Sequence, residues 1–420
     1  MRFDTPMLLV LLNSNLANAL PATWDNALVS SASTLPRVAS QDPSIALDQL
    51  AKLTSFANKQ TQDSLNVCRK PKHGLCTPSK LLVRREWGTL SKKERKAYIS
   101  AVKCLQKKKA AKPSALIPGA ISRFDDWVGT HINQTMAQYY SGTFLAWHRY
   151  FTWAYEQSLR TECGYTGTQP YWDWAKTAVT GLEKSPVFDG SDTSMSGNGA
   201  YIPGNELGQI TLAASPGTGL PDNYLPAGYG GGCVESGPFK NISVNLGPVR
   251  LPLINGSLII SSDRFTYNPR CLTRDLTDAI NRQYSNASAV VSNILDHDNI
   301  ADFQLTMQGV PGSGNVGIHG GGHYSLGGDP GRDPYVSPAD PVFYLHHAQI
   351  DRVWWIWQAL NAKTAFGDEG ISGTGTFLNA PPSANTTLDT SVNLGYAWEG
   401  VLPMRDLMST VAGPFCYVYL

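Results

Sequence analysis

Apolar residues return every three or four positions through several long stretches of this chain, and each such stretch predicts a helix. In SIALDQLAKLTSFANK, residues 44–59, the side chains of Ile45, Leu47, Leu50, Leu53 and Phe56 form an apolar face about four turns long. Over residues 91–108 the stripe is Tyr98, Val102 and Leu105, and Ser91 with Glu94 has the spacing of a capping box. Further helices are predicted over residues 122–139, 143–160, 272–295 and 341–360. Residues 180–270 are rich in Gly and Pro (AGYGGGCVESGP, for example) and read as long loops with a few short strands. The final FCYVYL is apolar and strand-like. The pattern predicts one mainly helical domain with irregular connections.

Composition divides the chain. Residues 1–19 carry Arg2, a short apolar run over 7–12 and the small-x-small triplet Ala17-Asn18-Ala19, the marks of a secretory signal peptide. That run is far too short to span a bilayer. Residues 20–75 are polar and read as an N-terminal arm or propeptide, and residues 76–420 as the dense domain. Charged residues make up 16% of the chain, below the roughly 25% of an average soluble protein. With a net charge of +1, no global field recruits nucleic acid or an anionic membrane. The basic run over 92–112 reads as a solvated helix face. Five N-x-S/T sequons begin at Asn133, Asn241, Asn255, Asn286 and Asn385, which suits a secreted glycoprotein. Seven scattered cysteines (68, 76, 104, 163, 233, 271 and 416) suggest disulfides, and the odd count leaves at least one outside any internal pair.

The chemistry lies in the histidines. Of eight, His131, His148, His319, His323, His346 and His347 fall in two aromatic-rich clusters, leaving His73 and His297 apart. His319 and His323, in HGGGH, share a face if that segment is helical. Three glycines inside a helix cost about 1 kcal/mol apiece relative to alanine. A metal clamp or close packing must therefore hold any helix there. Each histidine alone also reads as an ordinary core or surface residue, but all those readings would have to hold together to dismiss a site. Imidazole suits copper, zinc, iron and nickel alike.

Longer motifs narrow the choice. FLAWHRYF at 144–151, with Glu156 downstream, and DPVFYLHHAQID at 340–351 resemble the two copper signatures of the tyrosinase, catechol oxidase and haemocyanin family. YWDW at 171–174, HGGGHYSLGG at 319–328 and GPFCYVY at 413–419 resemble its short secreted fungal branch. The resemblance implies a four-helix bundle holding two coppers, three imidazoles each, with dioxygen and a small phenol as partners. By position it makes His131 and His148 ligands of the first copper, and His319, His323 and His347 ligands of the second. His347 is preferred because the family ligand lies four residues before the aspartate, here Asp351; His346 is left a structural role. The remaining first-site ligand should stand nine residues before His148, and that position holds Tyr139. The first copper is therefore expected to be weak or absent. The resemblance implies oxidation of o-diphenols or related phenols to quinones in fungal aromatic secondary metabolism. The alternative is a non-catalytic secreted binding or carrier protein. The Asn133 sequon is expected to stay unglycosylated, because its helix must pack around the metal.

Overall fold

The computed structural model describes residues 35–67, 76–111, 115–212 and 220–420. The signal-like segment, Cys68 and His73 lie outside the described residues. Among the described residues, ten helices of seven residues or more carry the fold: α1 (Pro43–Val67), α2 (Lys92–Lys107), α3 (Arg123–Gln138), α4 (Phe144–Cys163), α5 (Trp174–Thr180), α6 (Asp278–Tyr284), α7 (Ala287–Leu295), α8 (Ile300–Gln308), α9 (Gly317–Leu326) and α10 (Val342–Leu360). Strands among the described residues form only two-stranded pairs, consistent with the irregular middle of the chain.

The periodic segments fold much as their patterns predict. At α2 the capping box forms in both directions, Tyr98, Val102 and Leu105 are buried, and the lysines face solvent. In α1 the buried face is Ala46, Leu50, Leu53, Phe56 and Ala57, while Ile45 points outward. This helix packs on α7 and α10, where Arg352 and Trp355 donate to the hydroxyls of Thr54 and Thr61 at 2.7 and 3.0 Å. The single helix expected over 272–295 is instead two. Asn286 accepts from the Ala289 N–H at 2.9 Å, and this cap starts α7 just after α6 ends. The packing argument against glycosylation at Asn133 also fails. His131 is wholly buried on α3, but Asn133 stands two residues, about 200°, further around the helix and is exposed.

Two helices and both ends of the domain meet at a buried ionic cluster. Asp351 on α10 accepts from Arg149 Nε of α4 at 2.6 Å and lies 3.4 Å from an Arg84 nitrogen. Arg84 also pairs with Glu156 of α4 at 2.6 Å. The hydroxyls of Tyr417 and Tyr419 each donate to Asp351 at 2.6 Å. The Arg84 guanidinium lies 3.6 Å above the Tyr417 ring. Arg84 ends the strand Leu82–Arg84, which pairs in parallel with Tyr417–Tyr419, the strand-like tail. Cys76–Cys416 closes the same junction, Cys104–Cys163 ties α2 to α4, and Cys233–Cys271 staples the loop region.

Removing one member of a buried charge cluster typically costs about 3–5 kcal/mol, because its partners stay buried without compensation. Asp351→Asn should therefore lower the urea midpoint by the equivalent of several kcal/mol. A change below about 1 kcal/mol would show that the cluster adds little to stability.

Candidate metal centre

Four helices deliver the clustered histidines. His131 projects from α3 and His148 from α4, and the Asp351 cluster fixes α4 against α10 within a turn of both His148 and His347. α9 carries His319 and His323, and its glycines make sense through close packing. A Cβ at Gly321 would come within 2.8 Å of Tyr284, and one at Gly322 within 2.3 Å of the His346 ring. The missing side chains let α9 lie directly against α6 and α10. Packing thus offsets the cost of helical glycine.

The imidazoles meet edge and face. His148 stacks on His347 with centroids 4.3 Å apart and planes 11° from parallel. His319 lies 4.7 Å from His323, and His323 lies 4.3 Å from His346. One donor nitrogen from each of His319, His323, His346 and His347 lies within 4.8 Å of the others. Sequence position had left His346 outside this group. The available signal was its adjacency to His347 opposite a glycine-only face of α9. His297 is elsewhere, on the loop after α7, with its carbonyl accepting from Trp357.

Hydrogen bonds set the free nitrogens. His148 Nδ1 donates to the Phe144 carbonyl at 2.8 Å, leaving Nε2 with no partner. His131 Nδ1 donates to the Tyr335 carbonyl at 2.8 Å, a carbonyl allowing only the donor role. Its Nε2 is 3.1 Å from the Tyr139 hydroxyl and can only accept there. Tyr139, the residue after α3, is 6% exposed and turned inward. Its ring lies 5.5 Å from His148 and 5.4 Å from His319, so it occupies the space between the two histidine groups.

Burial controls protonation. It pushes His131 down to about 4 and His323 down to about 3, with the His131 imidazole adding to the shift at His323. His148, His319, His346 and His347 are lowered by the same desolvation and, less strongly, by neighbouring imidazoles of the cluster. All six are neutral near pH 7, the form that binds metal. Desolvation drives the Tyr139 phenol the other way, well above its usual value. A phenol of ordinary pKa is already about 4 kcal/mol from ionising at pH 7. Tyr139 therefore stays a neutral hydroxyl that donates to His131.

The residues fit copper. The Nε2 atoms of His148, His319 and His323, and both nitrogens of His346 and His347, are buried without any hydrogen-bond partner. Each such nitrogen costs about 1–3 kcal/mol unless something fills it. Converging neutral imidazoles, each offering a lone-pair nitrogen, suit a late transition metal.

Comparison with known proteins agrees with this geometry. The pattern described as the common central domain of tyrosinase matches residues 121–360. Tyrosinase P of Aspergillus terreus is 41% identical over 341 residues, covering 80% of this chain and 91% of the relative. N-acetyl-6-hydroxytryptophan oxidase ivoB of Emericella nidulans is 38% identical over 355 residues, 82% of this chain and 93% of the relative. A polyphenol oxidase variant from Thermothelomyces thermophila superposes with a TM-score of 0.80 at 43% identity, over 88% of this chain and 97% of that one. A histidine-rich helical core, both signature segments and relatives matched along most of their length together place the chain in the tyrosinase family of copper-binding oxidoreductases.

Proposed function

We propose that the protein is a copper oxidase that takes o-diphenols or related aminophenols to quinone-type products with dioxygen, in fungal aromatic secondary metabolism. The observation that carries this reading is the set of buried imidazole nitrogens with no other partner. His319, His323 and His347 would hold the second copper, and His131 and His148 the first, with Tyr139 at the remaining position. Copper held there would supply the redox chemistry between the phenol and dioxygen. The chain's own residues do the positioning. The Phe144 and Tyr335 carbonyls fix the His148 and His131 rings by holding Nδ1. Phe343 packs 4.1 Å from His347 and 5.2 Å from His131, keeping the space between the groups apolar. Next to His319 stands Gly320, and Val316 fills the space where its side chain would be. With no polar side chain there to take a proton from a monophenol, diphenol oxidation is favoured over hydroxylation. The relatives named for oxidase chemistry, and the ivoB protein's hydroxylated aromatic substrate, support the same class. Three disulfides suit an oxidising compartment and support secretion.

A second reading, a non-catalytic binding or carrier protein, is favoured by one contact. The Tyr139 hydroxyl occupies the His131 nitrogen that would bind the first copper. A neutral phenol is a poor substitute for imidazole, and a phenolate would favour Cu(II) over the Cu(I) needed to meet dioxygen.

Two measurements separate these readings. Copper binding by the second site should not depend on the first, so His323→Ala should weaken the first equivalent of copper by at least ~10-fold while His131→Ala leaves it unchanged. Equal losses would contradict the asymmetry. Tyr139→His should raise copper content towards two per chain and increase o-diphenol oxidation. If the parent chain already holds two coppers and turns over, Tyr139 does not limit it; if neither property changes on substitution, the carrier reading is the better account.

A further inference from the structure

We infer that the groove between α1 and the body of the domain is a second ligand site, which takes a small organic monocarboxylate on Arg352. The site is separate from the metal centre and does not rest on the copper reading. The groove has a volume of about 640 Å³, a size that suits a small molecule. Leu47, Leu50 and Thr54 of α1 line one wall, and Tyr171, Lys176 and Arg352 line the other. It therefore offers an apolar surface, an aromatic ring and a buried cation together.

The cation carries the argument. Arg352 is 4% exposed, and its partners are neutral: Nη2 donates to the Thr54 hydroxyl at 2.7 Å and Nη1 to the Gln349 carbonyl oxygen at 3.3 Å. Nε has no partner. The guanidinium carbon lies 4.9 Å from the Tyr171 ring centroid, a contact that attracts the charge but accepts no hydrogen bond in its plane. A buried guanidinium is normally matched by a carboxylate. Three fully buried arginines of this fold obey that rule: Arg84 pairs with Glu156, Arg149 with Asp351 and Arg274 with Asp340. Arg352 has no such pair among the described residues. The acids in the groove are already engaged. Glu86 accepts from the Gly88 N–H at 2.6 Å and lies 3.4 Å from Lys176. Asp173 accepts from the Ala175 N–H and Asp63 pairs with Lys59. A planar carboxylate would accept from the free Nε while its apolar body lay along Leu47, Leu50 and the Tyr171 ring. Glu86 and Asp173 line the same groove, so a dianion such as phosphate would be repelled more strongly than a single negative charge.

Calorimetric titration of the full chain with 3-phenylpropionate tests the site, with 3-phenylpropanamide as its neutral counterpart. The acid should bind, and the amide should bind at least ~10-fold more weakly. Arg352→Gln should weaken the acid by at least ~10-fold as well. Ser55→Trp keeps Arg352 but puts a ring into the groove from an exposed position of α1, and it should abolish binding. This variant decides the matter if Arg352→Gln does not fold. His323→Ala alters the metal centre and should leave binding of the acid unchanged. No binding to the parent chain, equal binding of acid and amide, or binding that survives Ser55→Trp overturns the proposal. Loss of binding in His323→Ala also overturns it, because the acid would then sit at the metal centre.

Discussion

The arrangement of this centre depends on one carboxylate. Asp351 collects Arg149, Arg84, Tyr417 and Tyr419 at a single buried point. Arg149 directly follows His148, and Asp351 lies one helical turn after His347. The Arg149–Asp351 contact therefore sets how α4 faces α10, and with it the stack between His148 and His347. Glu156, two turns beyond His148, pairs with Arg84 and lies 3.6 Å from Arg160, so the cluster is not a lone pair but two acids among three guanidinium groups, with tyrosine donors at Asp351. Such a cluster adds little net stability over an apolar core of equal volume, but breaking it leaves buried charge. Its value here is geometric. It holds two ligand-bearing helices in register without using any atom of the metal site.

That independence explains how the fold can carry Tyr139 where the family resemblance implies a ligand. The helices do not rely on a third first-site imidazole for their placement, so a phenol can stand there without disturbing the scaffold. The substitution is still specific in its effect. The hydroxyl is buried and must find a partner, and the free nitrogen of His131 lies 3.1 Å from it. On the copper reading proposed above, a phenol bonded to His131 would withhold two donors from the first copper instead of one. Burial keeps the phenol protonated, which maintains that contact.

Much of this was legible from the residues. Helices with a clear stripe and a cap, such as α2 with Ser91 and Glu94, formed where the pattern put them. The two signature segments marked α4 and α10, and counting back from His148 marked Tyr139. What failed did so for local reasons. The 272–295 segment looked continuous because its apolar positions run through the break, and only the Asn286 cap reveals that a new helix begins. Ile45 looked like part of the α1 stripe because the exact phase of an amphipathic face is blurred when Leu47 sits beside it; the buried set begins instead at Ala46. The Asn133 argument treated a helix as buried all round, though α3 buries only part of its circumference. The three disulfide pairings and the partners of Arg84 were not legible, since each joins residues far apart in sequence and depends on the completed fold.

The HGGGH segment shows how two features that look unrelated in the sequence meet in the fold. Read by propensity, three glycines argue against a helix; read by position, His346 is a neighbour of a ligand and no more. In three dimensions the two observations explain each other. Glycine at 322 is needed because the His346 ring occupies the volume of its side chain, and the His346 ring reaches the cluster because glycine stands there. The helix is thus held by tertiary contact and not by its own propensity. Both oddities therefore belong to a single packing decision, the approach of α9 to α10 at the distance of a bare backbone. At any larger separation, the glycines would lose their purpose and the His346 ring would no longer lie against the α9 backbone.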